Sequence, residues 1–100
     1  MKENKKLKDI QKILKETKEE LRKRYKIREI GIFGSYARKE QKRGSDIDIL
    51  VKFDKGASLF DLVGAEIFLQ KKTGKKIDMV SERALRKELK PVIMKEVIKI

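Results

Sequence analysis

The sequence predicts an α+β fold, an α/β-type sandwich in which helices flank a small mixed β-sheet, with residues 1–100 forming one domain. Three observations predict it. A long opening segment carries apolar residues at helical spacing, and three later stretches switch to strand alternation. A helical pattern with its own capping residues separates the last two of those stretches. One hundred residues with 39% apolar content suffice for one core and leave no room for a second.

In the first segment Leu7, Ile10, Leu14, Thr17 and Leu21 recur at alternating three- and four-residue steps, with Ile13 widening the stripe. Its other faces carry Lys and Glu, including Glu19 four residues before Lys23, an attractive pair, and Glu16 four before Glu20, a repulsive one. Ile27 to Phe33 alternates, so a strand is expected there. Gly34 follows, and Ser35 to Glu40 fits a short helix with Gly34 or Ser35 near its N-cap. Arg43-Gly44-Ser45 is a turn signal, and Asp46 to Phe53 is the clearest strand. Its Ile47, Ile49, Val51 and Phe53 share one face, while Asp46, Asp48, Leu50 and Lys52 share the other.

Ser58 can cap a helix through about Lys71 that buries Leu59, Leu62, Val63 and Ile67, and Gly74 closes it. Lys76 to Val80 is a short third strand, with Lys76, Asp78 and Val80 on one face. Ser81 caps a helical segment through Leu89, and Pro91 opens another with Val92, Ile93, Met94 and Val97. For the last four residues the pattern does not choose between a further short strand and none.

Composition removes whole classes of chemistry. There is no Cys and no His, so thiol chemistry, Ser-His-Asp hydrolysis and most zinc sites are excluded. What remains is carboxylates, Lys, Arg and hard cations with oxygen ligands. No apolar run approaches the roughly 18 residues of a membrane span, and the start Met1-Lys2-Glu3-Asn4-Lys5-Lys6 has no apolar stretch behind it. A cytoplasmic chain without membrane attachment is expected. The net charge of +12 suits polyanionic partners, nucleoside triphosphates included. Abundant Lys and Glu also match the thermophile-like profile of heat-stable proteins with surface charge networks.

The motif Gly34-Ser35, then Asp46-Ile47-Asp48 ten residues on, carries the chemistry. At roughly 5–7% usage per residue type, its four fixed positions recur by chance in about one chain of this length per thousand. A glycine between strand and helix lets backbone amides approach a ligand, and a helix N-terminus favours phosphate. An ordinary turn capped by Ser35 is the plain alternative. Asp46 and Asp48, at i and i+2, point the same way and repel one another unless a cation sits between them; Mg²⁺ would do so while bridging to substrate phosphates. Two exposed acids paired with lysines are the plain alternative here. If the second and third strands are neighbours, Asp78 joins the pair and completes a two-metal site; otherwise it salt-bridges Lys75 or Lys76.

Ile32-Phe33-Gly34-Ser35-Tyr36-Ala37-Arg38 followed by Gly44-Ser45-Asp46-Ile47-Asp48-Ile49-Leu50-Val51 resembles the nucleotidyltransferase domain of the DNA polymerase β-like superfamily. It is similar in particular to the minimal nucleotidyltransferase branch, antitoxin partners of HEPN-domain toxins. Lys75-Lys76-Ile77-Asp78-Met79-Val80 matches the place of that family's third aspartate, and the tail from Arg83 to Ile100 is similar to its C-terminal end.

The resemblance implies that Gly34 and Ser35 bind the β- and γ-phosphates of ATP. It further implies that Asp46 and Asp48 hold two Mg²⁺ ions, and that Asp78 binds one of them while helping to deprotonate the acceptor. Arg38 matches the motif arginine, which steadies either the motif helix or the phosphates. The reaction implied is in-line attack on the α-phosphorus with pyrophosphate leaving, and the acceptor implied is a tyrosine of a HEPN toxin. Two other readings stay open. One is transfer to RNA or a small molecule, with the basic first helix (Lys5, Lys6, Lys8, Lys12, Lys15, Lys18) as contact, although it lacks interleaved aromatics for stacking bases. The other is a non-catalytic antitoxin acting by contact through the first or last helix.

Overall fold

A computed structural model describes residues 6–100, so Lys5 and the segment before it lie outside the described residues. The chain runs α1 (Leu7–Tyr25), β1 (Ile27–Phe33), β2 (Ile47–Phe53), α2 (Leu59–Thr73), β3 (Ile77–Ser81), a 3₁₀ turn (Glu82–Ala84), α3 (Lys90–Glu96) and β4 (Ile98–Lys99). The sheet order is β3-β2-β1-β4. β1 is antiparallel to β2 and β4, and β2 is parallel to β3, with α2 as the crossover a parallel pair requires. The last residues therefore do form a strand. Among the described residues, no helix is long and apolar enough to cross a membrane.

The expected stripe builds the core. Ile10, Leu14, Thr17 and Leu21 of α1 are buried, and Ile13 is half-buried. The apolar members of that stripe pack with Ile30, Ile32, Ile47, Ile49, Val51, Ala65, Leu69, Ile77 and Met79 in one cluster. Each fully buried Ile or Leu there contributes roughly 2–3 kcal/mol over leaving it in water. In register, Ile47 faces Ile77 and Ile49 faces Met79 on the side that the helices cover. Asp48 opposite Asp78 and Leu50 opposite Val80 lie on the other side. The charges on α1 pair as Arg22 with Glu19 (2.8 Å) and Arg24 with Glu20 (2.6 Å), in place of the expected Glu19–Lys23.

Three expectations are corrected. α2 buries Ala65, Leu69 and Thr73, whereas Leu59 and Phe60 are 72% and 88% exposed and Val63 and Ile67 also face outward. The helix is apolar on several sides, so hydrophobicity could not select its inner face. The choice is made at the sheet edge: β3 has free N–H groups there, and the Ile77 and Met79 amides donate to Gln70 Oε1 (3.2 Å) and Glu66 Oε2 (3.0 Å). Meeting those donors turns Val63 and Ile67 away.

The segment after Gly34 is a set of turns and not a helix. Arg38 N–H donates to Gly34 O, Lys39 N–H to Tyr36 O and Glu40 N–H to Ser35 O. These steps of four, three and five residues cannot propagate as a helix. The helix expected from Ser81 to Leu89 shrinks to the 3₁₀ turn, because Leu85 adopts extended backbone (φ −70°, ψ 137°).

Candidate active site

β1 ends where the site begins. Gly34 follows Phe33 with φ +76°, and a Cβ added there would collide with the Asp48 carboxylate, its carbon lying 2.9 Å from Asp48 Cγ. Only glycine meets both demands, a left-handed backbone and a side chain pressed against it. Tyr36 anchors the turn from below, fully buried in the core cluster. Its hydroxyl has no hydrogen-bond partner among the described residues, and burial pushes its pKa up. Ser35, between these two fixed points, is half-buried.

β1 pairs Phe33 with Asp48, so the phosphate-type turn leaves its strand beside the acid. Asp48 in turn faces Asp78 across the parallel pair. Asp46 sits one residue before β2, exposed at its mouth, rather than inside the strand as expected. Asp48 is half-buried and its pKa is pushed up to about 6, first by burial, then by the negative charges of Asp78 and Asp46 and by hydrogen bonding to Asp78. Arg38 acts in the opposite direction. Among the described residues none of the three carboxylates joins an ion pair. Of the two lysines expected as alternative partners for Asp78, neither Lys75 nor Lys76 pairs with it, and Lys75 donates to Arg43 O (2.9 Å).

The structure thus brings together Gly34, Ser35, Asp46, Asp48 and Asp78, with Arg38 close enough to act on Asp48. Among the described residues no three acidic side chains stand close enough together to hold a metal ion as they are placed. The donor set is nonetheless suited to a hard cation: oxygen ligands only, and one half-buried carboxyl whose pKa is raised by burial and by the negative charges of Asp78 and Asp46. The expected helix dipole falls away with the expected helix; the turn amides, the Ser35 hydroxyl and the Arg38 guanidinium are the N–H and O–H donors of this segment.

One residue escaped the sequence reading. Glu96, the last residue of α3, accepts from Gly34 N–H through Oε2 (2.8 Å) and from Arg38 Nη1 through Oε1 (3.0 Å). No spacing signals it; the one hint is that it is the sole acid among residues 89–100.

A mixed four-stranded sheet with two facing acids beside a glycine-serine turn defines an enzyme that handles nucleotide phosphates. The nucleotidyltransferase domain family matches residues 14–100, and the chain belongs to that family. It is 40% identical over 92 residues to the protein adenylyltransferase MntA of Thermococcus cleftensis, covering 92% of this chain and 93% of that protein. A solved structure assigned as a minimal nucleotidyltransferase superposes with a TM-score of 0.84 at 30% identity, over 99% of this chain and all of that one. The fold is also shared, at 21% identity and TM-score 0.66, with a structure of a tri-AMPylated Shewanella oneidensis HEPN toxin in complex with MNT antitoxin. That match covers 90% of this chain and 70% of the other.

Proposed function

We propose that this nucleotidyltransferase moves AMP from ATP to a tyrosine hydroxyl of a HEPN-type toxin, silencing it as a cytoplasmic antitoxin. The transfer rests above all on Asp48, which lies against Gly34 and faces Asp78 across the parallel pair. The protein acceptor is supported by 40% identity to a protein adenylyltransferase over nearly its full length, and the toxin partner by the fold shared with an MNT antitoxin.

In this reading the Ser35 hydroxyl and the turn amides hold the β- and γ-phosphates, leaving the α-phosphorus over the acids. Asp46, Asp48 and Asp78 would hold two Mg²⁺ ions, which would supply charge neutralisation for the triphosphate and a lowered pKa for the attacking hydroxyl. Asp78, exposed on the open face, takes the hydroxyl proton. The acceptor oxygen bonds to the α-phosphorus as the bond to the bridging oxygen breaks, and pyrophosphate leaves. Alignment and charge placement do the work, with no covalent enzyme intermediate.

The test is incubation with labelled ATP, magnesium and a HEPN-type toxin protein, wild type beside Asp46→Asn and Asp78→Asn. Label on the toxin from wild type alone supports the proposal. Label on RNA would favour the second acceptor class, and neutralised toxin without label would favour contact inhibition. Equal labelling by wild type and Asp46→Asn would refute the site.

A further inference from the structure

The C-terminal segment is tied to β1 residue by residue. Ile98 and Lys99 pair with Ile32 and Gly31, and Ile100 N–H donates to Ile30 O (3.0 Å). Lys18 of α1 holds the far end through Ile100 O (2.9 Å). This strap fixes the end of α3 beside the turn that leaves β1, and Glu96 is the residue delivered there.

Both oxygens of Glu96 are used. Oε2 takes Gly34 N–H, and the carboxylate takes Arg38 Nη1 at 3.0 and 3.3 Å. Glu40 Oε1 takes Arg38 Nε at 3.0 Å. An arginine has five N–H donors in a planar fork, so donors remain on Arg38 for a phosphate oxygen. The guanidinium is otherwise on the surface, 47% exposed, and would sample many rotamers. Two carboxylates hold it in one. Glu96 joins Arg38 to Gly34, and Gly34 lies against the Asp48 carboxylate, so Arg38 stands on the side of the acids.

We propose that Glu96 is a positioning residue: it fixes the Gly34 end of the turn and aims Arg38 at the triphosphate, so the C-terminal strap sets nucleotide affinity. Gly34 N–H is then a structural donor and not a phosphate ligand. Of the two roles open for Arg38, the proposal takes the phosphate one, with Glu96 as its brace. The inference rests on the nucleotidyltransferase reading above.

The experiment measures Mg·ATP binding to the full chain by calorimetry, for wild type, Glu96→Gln, Glu96→Ala and Val97→Ala. The alanine variant loses both hydrogen-bonded links and should bind about tenfold more weakly. Gln keeps an acceptor for one link and should fall about threefold. Val97→Ala trims a neighbouring side chain and leaves both the carboxylate and the backbone pairing of the strap with β1 in place, so it should lower Tm yet keep affinity within about twofold. In an Arg38→Ala background, Glu96→Ala should cost less than in the wild type, the remainder being the Gly34 link. Thermal melts establish that each variant is folded, and the near-isosteric Gln variant stands in should Ala unfold.

Wild-type affinity in both Glu96 variants overturns the proposal. Tighter binding in them overturns it too, since the carboxylate would then be competing with phosphate. Failure of the wild type itself to bind Mg·ATP sinks the functional reading, and this inference with it.

Discussion

Asp48 and Asp78 stand directly opposite one another in the parallel β2–β3 register, on the sheet face that the helices leave open. The half-buried member, Asp48, has its pKa raised from 3.8 to about 6. An acid with a raised folded-state pKa binds more protons folded than unfolded between about pH 4 and 6. Stability of the metal-free protein therefore falls as pH rises through that window and stays lower above it. The cost is roughly 1–3 kcal/mol once solvent screening of a partly exposed group is allowed for. Asp48→Asn should abolish transfer and stabilise the metal-free protein by about 1–2 kcal/mol at pH 8, with little gain at pH 4. Denaturant unfolding at the two pH values checks this. Added Mg²⁺ should raise the wild-type midpoint and leave the variant nearly unmoved. A variant less stable than wild type at pH 8 would mean that Asp48 is structurally paired.

Gly34 tests the other half of the site. Gly34→Ala imposes a left-handed backbone on an L-residue, at roughly 1–2 kcal/mol, and drives a methyl into the Asp48 carboxylate. Total destabilisation of about 2–4 kcal/mol is expected, with loss of ATP binding. Asp48→Ala in the same background should recover part of that stability, since it leaves only the backbone strain and the milder contact with the residue-48 Cβ at 3.1 Å. Additive effects of the two changes would place the carboxylate elsewhere.

The layout of the candidate site was legible because each residue proposed for it obeys a local rule. A glycine-serine pair at a strand end and acids two apart on a strand need no knowledge of distant chain, and Asp78 needed only the assumption that β2 and β3 are neighbours. β1 was readable to the residue for the same reason. Glu96 was invisible, since it reaches Gly34 from 62 positions away through a helix end. The inner face of α2 was misread because Glu66 and Gln70, polar by composition, are drawn to the unpaired amides of β3. The turn after Gly34 looked helical by its residues, but Lys39 takes a left-handed conformation (φ 59°) that ends it within one turn.

Tyr36 carries a structural cost that the turn tolerates. Its ring is fully buried, yet the hydroxyl has no partner among the described residues. An unsatisfied buried hydroxyl costs about 1–3 kcal/mol relative to a satisfied one. Tyr36→Phe removes the polar atom and keeps the packing. The expected outcome is a gain of about 1 kcal/mol in thermal or denaturant unfolding, with unchanged ATP affinity. A loss of comparable size would show that the hydroxyl is hydrogen-bonded in solution.

Gly31 permits the strap to seat at all. A Cβ there would lie 2.6 Å from Val97 Cγ2 and 3.1 Å from Ile98 O, so the chain can close onto β1 only over a bare backbone. Gly31→Ala should destabilise by about 1–3 kcal/mol, the usual cost of overpacking. It should also speed hydrogen exchange at the Ile100 amide, which donates to Ile30 O. Adding Val97→Ala removes the Cγ2 that meets the new methyl and should restore much of the loss, leaving the milder contact with Ile98 O. Because Glu96 is delivered by the same segment, Gly31→Ala should weaken ATP binding and the double variant should recover it. Recovery of stability without recovery of affinity would separate the strap from the phosphate turn.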